Sequence, residues 1–119
     1  MGKKILIFDD DTATLEVVSI ICQDLGYSVE TSETADNIIS KVDMFLPNLI
    51  MMDINIPMIG GIEATRLIKT HHTYSKIPVV FITAKNNVAK LSSQAHADGY
   101  LAKPFDIEEL EGIVDQLLG

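Results

Sequence analysis

The chain has 119 residues, 47% of them hydrophobic, with 17 acidic side chains against 9 basic ones and a formal net charge of -8. That length makes one domain with a real core, and so few cations exclude direct nucleic-acid binding by this domain. A single cysteine, Cys22, excludes a disulfide framework and a thiolate metal cluster.

Met1-Gly2-Lys3-Lys4 leads straight into an apolar strand rather than a signal peptide, and no apolar run approaches the ~18 residues of a bilayer span. A cytoplasmic protein without membrane contact is expected. Short, wholly apolar runs then alternate with segments of helical period, the pattern of βα units around a buried parallel sheet. Strands are expected near 4–8, 28–31, 49–53, 78–82 and 99–102, the second with the weakest apolar signal. The first helix should start at Thr12, an N-cap residue type, and run to Gly26 as its C′ glycine. Its apolar stripe reads Val17, Val18, Ile21, Cys22 and Leu25, with Leu15 at the edge and Ile20 off it. Thr34 is the expected cap of a second helix that ends near Phe45-Leu46-Pro47, because Pro47 cannot continue it. A third helix runs from about Ile62 to His71, a fourth from about Asn86 to Ala95, and a fifth from about Ile107 to Leu118 behind an Asp106 cap. Right-handed crossovers place two helices on one face of the sheet and three on the other. The expected architecture is a flavodoxin-like, doubly wound (βα)5 sandwich on a five-stranded parallel sheet, with residues 1–119 as one unit.

Four of these strands end on a chemically loaded residue: Asp9-Asp10, Asp53, Thr83 and Lys103. Side chains at the carboxyl ends of parallel strands converge on one crevice. Three carboxylates there repel one another and raise at least one pKa unless a cation neutralises them. Carboxylates with a backbone carbonyl and water suit a hard divalent ion, Mg2+, with Mn2+ as the alternative. Such an ion recruits phosphate. An Asp carboxylate can attack phosphorus to form an acyl phosphate while Lys103 and the metal neutralise the equatorial oxygens and Thr83 donates its hydroxyl. Lys103 precedes Pro104, where a cis peptide would aim the ammonium into the crevice. An acidic triplet such as Asp9-Asp10-Asp11 is, alone, most simply a solvated loop; its place among the other strand ends decides for a site, leaving Asp11 to support the loop or helix start.

Along essentially its whole length the chain resembles the receiver domains of two-component response regulators, the CheY-like family. Asp9-Asp10, the run Asp53-Ile54-Asn55-Ile56-Pro57-Met58-Ile59-Gly60-Gly61, Thr83-Ala84 and Tyr100-Leu101-Ala102-Lys103-Pro104-Phe105 carry the likeness. The resemblance implies that Asp53 is the phosphoacceptor, receiving a phosphoryl group from a phosphohistidine on a sensor histidine kinase or a histidine phosphotransfer protein. It implies direct metal ligation by Asp10 and Asp53, with Asn55 contributing its backbone carbonyl and Asp9 acting through water. Thr83, Ala84 and Lys103 would surround the phosphoryl group. Thr83 would then move toward the phosphate and Tyr100 turn inward, remodelling the surface of the fourth helix, fifth strand and fifth helix. Asn55 and Lys85 fall at positions that tune phosphoryl lifetime. Phe8 and Ile56 replace the family's smaller aliphatic and Met, apolar swaps that bear on packing more than chemistry.

The implied activity is self-catalysed phosphotransfer and autodephosphorylation rather than enzymatic turnover of a substrate. The opening Met1 and the lack of a trailing linker favour a single-domain regulator or relay intermediate, monomeric or weakly dimeric on phosphorylation. The alternatives are a receiver cut from a longer regulator or hybrid kinase, and an unphosphorylated scaffold. A haloacid dehalogenase-type phosphatase would need Thr where Ala13 stands, and a flavin site would need a phosphate loop where the carboxylates are. Elsewhere, His71 and His72 read as helix-end surface residues, Gly60-Gly61 as a mobile turn, Cys22 as a buried thiol, and the acidic last helix as a solvated face. Leu15 and Ile20 suggest an apolar patch that helps dock the phosphodonor.

Overall fold

The computed structural model describes residues 2–84 and 96–119. Three strands, β1 (Lys4–Phe8), β3 (Leu49–Asp53) and β4 (Val79–Thr83), are buried at almost every position, because helices cover both faces of the sheet at its centre. They are flanked by β2 (Ser28–Ser32) and β5 (Gly99–Ala102) in the order β2-β1-β3-β4-β5, every neighbouring pair parallel. The edge strands carry less apolar surface: β2 contributes Val29 and β5 Leu101 to the described core. That explains the weak signal of the second strand, which is nevertheless formed.

Alternate residues of each central strand serve opposite cores. Ile5, Ile7, Leu49, Met51, Val80 and Ile82 pack with α1 (Thr12–Asp24) and α4 (Ile107–Leu118), through Leu15, Val18, Cys22, Leu110 and Val114. Leu6, Phe8, Ile50, Met52, Val79 and Phe81 pack with α2 (Ile38–Phe45) and α3 (Gly61–Lys69), through Ile38, Val42, Ala64 and Ile68. The described helices thus divide two and two, while the helix expected at 86–95 and Lys85 lie outside the described residues.

Local signals explain most helix ends. The N-cap of α1 is Asp11 rather than Thr12: its carboxylate accepts from the Ala13 N–H at 3.1 Å and the Thr14 hydroxyl at 2.9 Å. At the other end Gly26 (φ 99°) donates to the Gln23 carbonyl at 2.9 Å and Tyr27 to the Cys22 carbonyl at 3.1 Å, a Schellman motif. The α4 start is a capping box between Asp106 and Glu109.

Three further expectations need correction. The buried stripe of α1 is Leu15, Val18 and Cys22, while Val17 is 54% exposed and Leu25 41%. Apolar residues surround most of this helix, so the sheet, not the period, selects the buried face. Thr34 does not cap α2. Ala35 is drawn fully into the core, the Thr34 hydroxyl is engaged by Asp36 and Lys41, and the helix starts after Asn37 in left-handed conformation (φ 53°) without a side-chain cap. Finally, α3 stops at Lys69, so His71 and His72 belong to the following turns; their rings stack at 4.9 Å, and His71 stacks on Tyr74 at 4.7 Å.

Candidate functional site

Strand register assembles the site. β1 and β3 pair Phe8 with Met52, so the next residues, Asp9 and Asp53, emerge side by side. β3 and β4 pair Asp53 with Ile82, which puts Thr83 one step further on, and β4 and β5 pair Thr83 with Ala102, which precedes Lys103. Because β1 lies between β2 and β3, the chain leaves it on one side and returns on the other. That reversal opens the crevice at the carboxyl ends of β1 and β3.

One carboxylate oxygen from each of Asp9, Asp10 and Asp53 lies within 4.8 Å of the other two. Asp9 is fully buried and Asp53 nearly so, while Asp10 is exposed. Asp9 Oδ1 accepts the Asp11 N–H at 2.9 Å, and its Oδ2 meets the Lys103 ammonium at 2.8 Å. That ion pair lacks hydrogen-bond alignment, so a buried Asp9 oxygen has no aligned donor among the described residues. Asp53 Oδ1 accepts the Asn55 N–H at 3.1 Å. Burial pushes the Asp53 carboxyl up, the Asn55 N–H opposes it, and the neighbouring Asp9 charge adds to the rise; the result is a pKa of about 6. Three convergent carboxylates, one with an unaligned buried oxygen, form an all-oxygen donor set that fits a hard divalent cation.

Thr83 is buried, and its carbonyl accepts the Lys103 N–H at 2.8 Å. The Lys103–Pro104 peptide bond is cis. Ala84 borders an apolar cavity of about 490 Å³ beside the crevice, walled by Ala13, Thr14 and Val17 of α1 and by Phe105. Tyr100 is 47% exposed on β5. Leu15, expected in a docking patch, is core instead, leaving Ile20 exposed without it. Sequence reasoning missed Ser32, whose carbonyl accepts the Asp9 N–H at 3.1 Å; backbone acceptors carry no residue-type signal. The Gly60-Gly61 pair is a packing device rather than merely a turn: Gly60 holds φ 78°, and Gly61 donates its N–H to the Ile54 carbonyl at 2.8 Å.

A doubly wound parallel sheet with an acidic crevice at its strand-order reversal places the chain in the flavodoxin-like class of α/β proteins. Residues 5–115 match the family described as the response regulator receiver domain, and the chain belongs to that family of two-component signalling domains. It is 33% identical over 117 residues to the DNA-binding dual master transcriptional regulator RpaA of Synechocystis sp., covering 97% of this chain and 48% of that protein. It thus spans about half the length of the curated relatives it matches, among them the transcriptional regulators TrcR of Mycobacterium tuberculosis and CrdR of Helicobacter pylori. Among solved structures, the chemotaxis response regulator CheY4 of Vibrio cholerae superposes with a TM-score of 0.90 at 28% identity, covering 99% of this chain and 100% of that one. The receiver domain of sensor histidine kinase PA1611 from Pseudomonas aeruginosa, with magnesium in its active-site cleft, gives a TM-score of 0.88 at 27% identity over 98% of both chains. No described helix is long and apolar enough to cross a membrane.

Proposed function

We propose that this receiver domain carries its signal as an acyl phosphate on Asp53. The observation that carries the reading is the convergence of Asp9, Asp10 and Asp53 oxygens within 4.8 Å of one another, with the Lys103 ammonium at Asp9. The donor is a phosphohistidine on a sensor histidine kinase or a histidine phosphotransfer protein. An Asp53 oxygen forms the new bond to phosphorus as the P–N bond breaks, and the electron pair leaves with the imidazole. With its pKa near 6, Asp53 is mostly ionised and nucleophilic at neutral pH.

Bound to Asp10, Asp53, the Asn55 carbonyl and, through water, Asp9, Mg2+ would withdraw charge from the phosphoryl oxygens. The magnesium-containing PA1611 cleft favours that ion over Mn2+. Lys103 supplies a second positive charge, and Thr83, beside Ala84, binds a further oxygen through its hydroxyl. Inward rotation of the half-exposed Tyr100 then changes the surface around β5 and its flanking helices, where a protein partner reads the state. Asn55 and Lys85 set how long the acyl phosphate survives self-catalysed hydrolysis. The domain works in the cytoplasm, as a monomer or a weak phosphorylation-dependent dimer. It acts alone or as a relay intermediate; the length of the curated relatives supports the alternative, a receiver within a longer regulator.

Incubation with acetyl phosphate and Mg2+, followed by intact mass spectrometry, tests the reading. A single phosphoryl adduct that requires the metal and disappears in Asp53→Asn is the expected result. No adduct at reaction times short enough to outrun hydrolysis would leave an unphosphorylated scaffold as the function.

A further inference from the structure

The end of β2 and the loop joining it to α2 supply no ligand or reacting group, yet they are bonded to both walls of the crevice. Ser32, the last residue of β2, accepts the Asp9 N–H on its carbonyl at 3.1 Å, and in the loop the Ala35 N–H donates to the Pro57 carbonyl at 3.4 Å, in the segment that follows Asp53. One cation stitches this loop together. Lys41 Nζ, from the first turns of α2, lies 3.0 Å from the Thr34 carbonyl, 3.2 Å from Thr34 Oγ1 and 3.1 Å from Asp36 Oδ1. The Ser32 hydroxyl donates to the same Thr34 carbonyl at 2.7 Å. Asn37 provides no side-chain cap, so among the described residues it is Lys41 that ties the loop to the helix by side-chain hydrogen bonds. An ammonium has three donors, and all three find acceptors within the loop.

We infer that Lys41 is a positioning residue for the crevice, acting through Ser32 and Ala35 on the backbone segments that present Asp9 and Asp53. This rests on the proposed reading of the crevice as a divalent-cation site. A purely electrostatic role has the opposite sign. Removing a cation from a chain of net charge -8 would tighten binding of a divalent cation, whereas loosening the loop weakens it.

The test titrates Mg2+ into the intact chain and into Lys41→Met and Lys41→Arg, following amide resonances, and measures metal-free amide exchange at Asp9 and Ala35. Lys41→Met should weaken Mg2+ binding roughly tenfold, as loss of a group that orients ligands does. It should also speed exchange at Asp9 and Ala35 relative to Phe81 in β4. Lys41→Arg, which keeps the charge and several donors, should recover most of both, and Thr34→Val should act in the same direction as Lys41→Met but less. Unchanged or tighter Mg2+ binding by Lys41→Met, or weaker binding without faster exchange at those two amides, overturns the inference. A wild-type chain that binds no Mg2+ overturns the reading of the crevice itself, and this inference with it.

Discussion

A Cβ on Gly61 would stand 2.3 Å from the carbonyl oxygen of Asp53 and 2.7 Å from the Ile54 Cα. The first residue of α3 is therefore packed against the backbone that carries the central carboxylate. Gly61→Ala should cost about 3 kcal/mol in urea denaturation, the scale of overpacking against atoms that cannot yield, and should displace the amide resonances of Asp53 and Asn55. Gly60→Ala meets nothing within 4 Å, but its φ of 78° with ψ 154° is a glycine conformation. Its loss of about 2 kcal/mol should come from backbone strain alone.

Asp53 also makes stability depend on pH. Its folded pKa of about 6 lies above its ordinary 3.8, so the folded state binds the extra proton, and stability falls as pH rises through that window. In metal-free buffer at pH 8, Asp53→Asn should be more stable than the wild-type chain by about 1–2 kcal/mol, after allowance for solvent in the cleft. The advantage should shrink below pH 6 and vanish below pH 4. Paired urea melts between pH 4 and 8 in EDTA measure it, and saturating Mg2+ should reverse the order by stabilising only the chain that binds it.

Removing Lys103 strands the fully buried Asp9 carboxylate, whose partner ammonium sits 2.8 Å away with 23% exposure. Lys103→Met should cost about 2–3 kcal/mol at pH 7, because an uncompensated buried charge is the expensive outcome. Asp9→Asn in the same chain should recover most of that loss, and the double-mutant cycle from denaturant midpoints gives the coupling directly.

Cys22 lies fully buried on the sheet-facing side of α1, and burial pushes its thiol up to about 11. Alkylation by iodoacetamide at pH 8 should be negligible in the folded chain and complete in denaturant, since only the exposed thiolate reacts. Labelling in native buffer at the unfolded rate would contradict the placement of α1 on the sheet.

The carboxyl-end residues were legible because strand length and apolar runs locate strand ends, and a parallel sheet gathers those ends in one place. What escaped depends on contacts between distant segments. Nothing near Lys103 in sequence says that its ammonium pairs with Asp9. The register of α1 was ambiguous because Val17, Ile20 and Leu25 are as apolar as the Leu15, Val18 and Cys22 that the sheet buries. Thr34 looked like a cap from its type; with Ala35 buried in the core, the helix starts after Asn37 and the threonine is left for Lys41.

Asp9 and Asp53 continue a ladder whose last rung is Phe8 with Met52, and neighbouring parallel strands keep a spacing of about 4.8 Å wherever they pair. The jaw width of the crevice is thus inherited from backbone periodicity. Exchanging the surrounding loops would alter how firmly an occupant is gripped or how soon it departs, while the gauge between those two carboxylates stays the same until the sheet itself comes apart.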